Sequence, residues 1–165
     1  MLSQKLQDAF NEQINEELYS AYLYLSMSAV CADRNLNGFA SWMRLQAQEE
    51  VAHGMRLFDY LLERGGRVEL QQVGQPPVEF GSPLEIMEGA LEHEKKVTGL
   101  IHRLYEVAVE EGDYSAQIEI QWFITEQVEE ENSIDAIVQR MKMFGSDGAA
   151  LLMVDSQLGG RSSAE

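Results

Sequence analysis

The chain has 165 residues, enough for one domain with a sizeable core, and carries a net charge of −16. That charge argues against nucleic acid or an anionic membrane as partner and favours a cation, while 45% hydrophobic residues exclude a disordered acidic tail. A single cysteine, Cys31, excludes an internal disulfide or a Cys-rich metal site and suits a reducing cytoplasm.

The elements follow in chain order. The first predicted helix spans about 4–33. Its apolar stripe holds Phe10, Ile14, Ala21 and Tyr24 and is interrupted by Glu17. Charges at the N-terminus leave no secretory apolar run, and Leu18–Ala32 is too short and too rich in Ser and Tyr to span a bilayer. Asn35-Leu36-Asn37-Gly38 reads as a turn with Asn37 as N-cap of a second helix, about 38–64. Its stripe of Phe39, Met43, Gln46, Leu57 and Tyr60 is broken by Glu50 and His53.

Residues 65–81 show no helical pattern. Extended, they reach roughly 55 Å, more than the roughly 40 Å of a 27-residue helix, so they can cross the whole bundle. Ser82-Pro83-Leu84-Glu85 is a capping box opening a third helix, about 83–111, with Glu94 breaking Met87, Ala90, Val97 and Ile101. Gly112 ends it, and Asp113 caps a fourth helix, about 114–143. There Gln127 and Glu130 break the stripe of Ile120, Phe123, Ile134 and Ile137. Gly145 ends the fourth helix and Asp147 caps a short fifth, about 148–158, whose Leu151, Leu152, Val154 and Leu158 form an apolar face that needs a partner. The last seven residues read as a frayed end. The expected fold is all-α: one domain over 1–165, a four-helix bundle with a long crossover between helices two and three and a short fifth helix.

Every polar break lies within a turn of its helix centre, so all fall at one level of the bundle. A lone Glu in such a stripe is more simply a surface residue. Four helices interrupted at one height weigh against that reading. Converging carboxylates cost several kcal/mol to desolvate unless cations offset them, roughly in proportion to their number. Glu17, Glu50, Glu94 and Glu130 carry four negative charges, which two divalent ions balance. Glu50-x-x-His53 and Gln127-x-x-Glu130 each place two donors on one helical face. An oxygen-rich set with one imidazole suits iron or manganese better than structural zinc.

The segments Asn11–Ser20, Ala47–His53, Leu57–Leu61, His93–Lys95, Gln121-Trp122 and Glu126–Glu131 carry a resemblance to the non-haem bacterial ferritins along nearly the whole chain. Buried carboxylates on four facing helices are the known layout of ferritin-like di-iron bundles. The resemblance implies a ferroxidase that oxidises Fe(II) with O2 or H2O2 and stores the ferric mineral in a shell of 24 copies. One iron position would be Glu17, Glu50 and His53. The second would be Glu94, Glu130 and the bridging Glu50, with Gln127 close by. A third would be Glu49, Glu126 and Glu129 with Glu130 shared. The alternative for that acidic run is a solvated face. Tyr24 and Trp122 match site-adjacent electron donors, Tyr24 being equally compatible with core packing. Val51 stands where haem-binding relatives place a methionine, so no haem is expected. Gln117 and Ile120 stand where animal ferritins line an iron channel with carboxylates, which leaves Glu119 or another pore as entry. A di-iron oxygenase that stores nothing, and a non-catalytic acidic assembly protein, are the rival readings.

Overall fold

The computed structural model describes residues 2–162. Five helices follow one another: α1 (Gln4–Asp33), α2 (Asn37–Glu63), α3 (Pro83–Glu110), α4 (Tyr114–Phe144) and α5 (Gly148–Gly159). No strand occurs among the described residues. α1 packs along α2 and α3 along α4, the pairs meet through α1 and α3, and α5 lies on α2.

Local chemistry sets most helix ends. Ser3, Ser82, Asp113 and Asp147 each accept backbone N–H groups at an N-terminus, and Ser82 and Glu85 close the capping box. Gly112 and Gly145, at φ 62° and 58°, take positive-φ conformations that suit glycine where α3 and α4 end. Asn37 is not the N-cap expected of it. α2 starts at Asn37, Leu36 holds the cap position, and no local side chain caps the helix. Asp155 of α5 does so instead, its Oδ1 accepting the Phe39 N–H at 3.0 Å. Gly38 permits this approach, since a Cβ there would lie 1.7 Å from the Asp155 carbonyl oxygen.

Residues 65–81 cross the bundle along α1. Near their start, Asn11 donates to the Arg67 carbonyl at 3.0 Å and accepts from the Glu69 N–H at 2.8 Å. Near their end, Arg34 donates to the carbonyls of Phe80, at 2.6 Å, and Gly81. Asn11 and Arg34, the latter capping the C-terminus of α1, are 23 residues apart, about 35 Å of helix. Arg64, just beyond α2, pairs with Asp113 at 3.0 and 2.8 Å and ties the two pairs together at that end.

The core divides in two. One apolar cluster holds Leu6, Phe10, Ile14, Leu57, Leu61, Val97, Ile101, Ala116, Ile120 and Phe123. The other holds Tyr24, Met27, Phe39, Met43, Met87, Ala90, Ile134, Val138 and Val154. Between them α1, α2, α3 and α4 bury Glu17, Glu50 with His53, Glu94, and Gln127 with Glu130.

The fifth helix splits its apolar face. Val154 and Leu158 are buried against the chain's own bundle, with Leu151 partly covered; Leu152 and Met153, 62% and 69% exposed, are the apolar residues left over. The expected fray is corrected, because Arg161 is bound back onto α2. Ser163–Glu165, the rest of that end, lie outside the described residues.

Candidate metal centre

Helical spacing points each buried acid inward. Glu50 and His53 stand one turn apart on α2, and the His53 Nδ1 lies 3.6 Å from Glu50 Oε2 and 3.9 Å from Glu17 Oε2. Glu17, Glu50 and His53 each offer a ligand atom within 4.8 Å of the others, and so do His53, Glu126 and Glu130. The second trio was not anticipated, since the sequence reading assigns Glu126 to the outer position alone. His53 faces both groups because it projects between α1 and α4, with Trp122 and Phe123 edge-on to its ring at 5.5 and 6.0 Å.

Glu94 belongs to neither trio among the described residues. Tyr24 donates to its Oε1, and the Gln127 amide donates to its Oε2 at 3.0 Å. Gln127 also reaches the Glu94 carbonyl and Thr98 Oγ1, both at 3.3 Å. Glu17 accepts from Gln13 at 2.7 Å, and Glu130 from Gln46 at 2.8 Å. Glu50 Oε1 is buried with no hydrogen-bond partner.

These groups sit uneasily as anions. Burial first, then the neighbouring Glu50, pushes Glu17 well above the usual carboxylate range. Burial and Glu94 do the same to Glu50. Glu94 is raised by burial, against the hydrogen bonds from Tyr24 and Gln127. Glu130 is pushed up to about 7, by burial and then by Glu94. The Tyr24 phenol is raised well above its ordinary value by burial beside Glu94. A polar layer that resists ionisation, and holds a carboxylate oxygen without a donor, fits oxygen-seeking cations: binding them replaces protons and supplies the missing partner.

Glu49, Glu126 and Glu129 rim an open cavity of about 520 Å³ beside this layer, with Glu130 as the shared wall. Glu49 and Glu126 are half-buried and Glu129 is exposed. Gln117, Ile120 and Glu119 lie in the first two turns of α4. Ile120 is fully buried, Gln117 donates to the Ala108 carbonyl at 3.3 Å, and Glu119 accepts from Arg56. The Arg56 guanidinium stacks 4.0 Å above Trp122.

Sequence reasoning left three polar residues unassigned. Gln13 and Gln46 each sit one turn before an inward acid, a spacing that could have singled them out. Arg161 carries no such signal, since it meets Gln46 and Glu49 across more than 110 residues.

Comparison with known proteins agrees with the geometry. A family model described as ferritin, a ferritin-like domain, matches residues 7–144. The chain is 42% identical over 161 residues to a bacterial non-heme ferritin of Bacteroides fragilis, covering 98% of this chain and all of that protein. It is 35% identical to one of Staphylococcus aureus, covering 98% and 97%. Among solved structures, an open pore ferritin of the archaeon Archaeoglobus fulgidus superposes with a TM-score of 0.97 at 48% identity, covering 98% of each chain. A closed form engineered from that ferritin has the same TM-score and identity.

Proposed function

This chain belongs to the ferritin family, and from that premise we propose that it binds Fe(II) as substrate in the buried carboxylate layer, oxidises it, and stores the ferric product in a hollow shell of its own copies. The observation that carries the reading is the convergence of four helices on Glu17, Glu50, His53, Glu94 and Glu130, with Glu50 Oε1 lacking a partner.

In this reading Glu17, Glu50 and His53 hold one Fe(II). Glu94 and Glu130 hold the second with Glu50 bridging, and Gln127 steadies Glu94. Two Fe(II) ions losing one electron each furnish the pair that reduces O2 to H2O2, or H2O2 to water. The protein fixes the ligands, neutralises charge and excludes water. Carboxyls that are neutral before iron arrives release their protons as it binds, so uptake acidifies the medium. Tyr24 keeps its proton and donates a hydrogen bond to Glu94. In this reading Tyr24, bonded to Glu94, and Trp122, 5.5 Å from the His53 ring, lend an electron to the pair.

Glu49, Glu126 and Glu129, with Glu130 shared, form a weaker third position at the cavity rim. Val51, 43% exposed, offers no atom that ligates haem, so haem takes no part. The assembly in this proposal is a homo-oligomer of 24 copies in the cytoplasm. Within the described residues no helix is long and apolar enough to cross a membrane.

The test is aerobic Fe(II) addition to metal-free protein, followed by absorbance and by electron microscopy. Rapid oxidation with electron-dense cores inside the particles is expected. Oxidation without cores would leave a di-iron oxidase that stores nothing, and neither would leave an acidic assembly protein.

A further inference from the structure

Arg161 lies two residues beyond the end of α5, where the chain turns back over α2. Its Nη2 donates to both carboxylate oxygens of Glu49, at 2.9 and 2.8 Å, and its Nη1 to Gln46 Oε1. The guanidinium carbon stands 5.2 Å from the Trp42 ring centre. Three partners on α2 therefore hold one side chain, which is only 20% exposed. It faces the same cavity as Glu126, Glu129 and Glu130. Arg140 also lines that cavity, but it donates to Gln157 at 2.6 Å.

We infer that Arg161 is a built-in competitor for the third cation position, held on Glu49 when no ion is bound there and displaced when one binds. The inference rests on the three-position reading above. Both oxygens of Glu49 already accept from the guanidinium, so a metal ion that Glu49 chelates meets Arg161 at the same edge of the carboxylate and must compete with it. Keeping both cations against one carboxylate would place like charges in contact within a partly desolvated cavity.

The displacement carries further. Gln46 accepts from Arg161 on its carbonyl side and donates to Glu130 from its amide side. Arg161 thus fixes which way that amide points, and through it the carboxylate shared by the second and third positions. Arg161 is a positioning residue for Glu130: its release frees Gln46 and lets Glu130 turn towards the third ion. Iron arriving beyond the first pair must then outcompete a tethered arginine, which delays filling of the third position until the pair is complete.

The experiment is an anaerobic calorimetric titration of assembled, metal-free protein with Zn2+, which has no redox step. Wild type, Arg161→Gln and Arg161→Lys are compared while tryptophan fluorescence is recorded. The first two ions should bind alike in all three. The third should bind about 10-fold tighter in Arg161→Gln, a difference of about 1.4 kcal/mol. Arg161→Lys should fall between the two, because it keeps the charge and loses the paired hydrogen bonds. In wild type the third equivalent should shift the fluorescence as the guanidinium leaves Trp42. Arg161→Gln should start from the shifted spectrum and bind the third ion with no further fluorescence change. A third ion bound equally by wild type and Arg161→Gln overturns the role of Arg161 alone. Only two ions in every variant removes the third position itself, and this inference with it.

Discussion

At the scale of single residues, the polar layer is a set of acids held together against their preference. Glu50 is the extreme case, fully buried, close to two other acids and short of a hydrogen-bond donor. In metal-free protein at neutral pH Glu50 must take up a proton to fold, and Glu50→Gln removes that requirement, so unfolding should become harder, by about 1–3 kcal/mol for a buried group of this kind. The same change removes the bridge, and Fe(II) oxidation should slow by about 100-fold or more. Thermal unfolding and stopped-flow absorbance read the two effects, and an unchanged oxidation rate would take the bridging role from Glu50. Glu130 gives a pH signature. Its carboxyl titrates at about 7 in the fold against 4.5 when free, so the neutral acid is the form the fold prefers. Its contribution is complete below 4.5 and is lost as pH rises towards about 7. The stability of metal-free wild type relative to Glu130→Gln should fall across that interval, by up to about 3 kcal/mol at 1.36 kcal/mol per unit. Denaturant unfolding at several pH values checks this, and a flat difference would mean that Glu130 ionises freely.

At the scale of elements, the helices are closed by short-range chemistry with one exception, the N-terminus of α2. Its Phe39 N–H is satisfied by Asp155, 116 residues further along the chain. Asp155→Ala should therefore cost about 1 kcal/mol, the worth of an ordinary N-cap, and also loosen α5. Asp155→Asn, which keeps an acceptor oxygen, should recover most of that loss. Hydrogen exchange of α5 together with thermal unfolding separates the outcomes: a stability loss with α5 protection unchanged would show that the contact does not hold the helix down. Ser82→Ala should cost a similar amount at α3 without touching α5, because its capping box is closed within four residues.

At the scale of the whole molecule, one half of the apolar face of α5 is used within the chain and the other half is left outward. Leu152 and Met153 are 62% and 69% exposed, on a helix whose Val154 and Leu158 are buried and whose Leu151 is partly covered. Replacing both with Asp should leave the subunit folded, since neither side chain is packed in the core, yet shift light scattering from shell-sized particles to small oligomers. Full-sized particles from the double variant would show that α5 lies outside the subunit contacts.

The four-helix bundle was legible in the sequence by itself, because a 3.6-residue period repeated over four long stretches reads as helix throughout. Its punctuation at Ser82, Asp113, Gly112 and Gly145 is local chemistry that needs no partner. The sequence also marked where the stripes break, since a break is visible along one helix at a time. Tertiary structure alone decided what those breaks meet. His53 faces Glu126 as well as Glu17 and Glu50, and Glu94 is held by Tyr24 and Gln127 outside both trios. Rotations and separations of neighbouring helices fix such distances, and no single helix's period encodes them. The same limit hid Asp155 as the cap of α2 and Arg161 as the partner of Glu49. Each joins residues more than 110 positions apart through one side chain, and a contact of that kind leaves no periodic trace in the sequence.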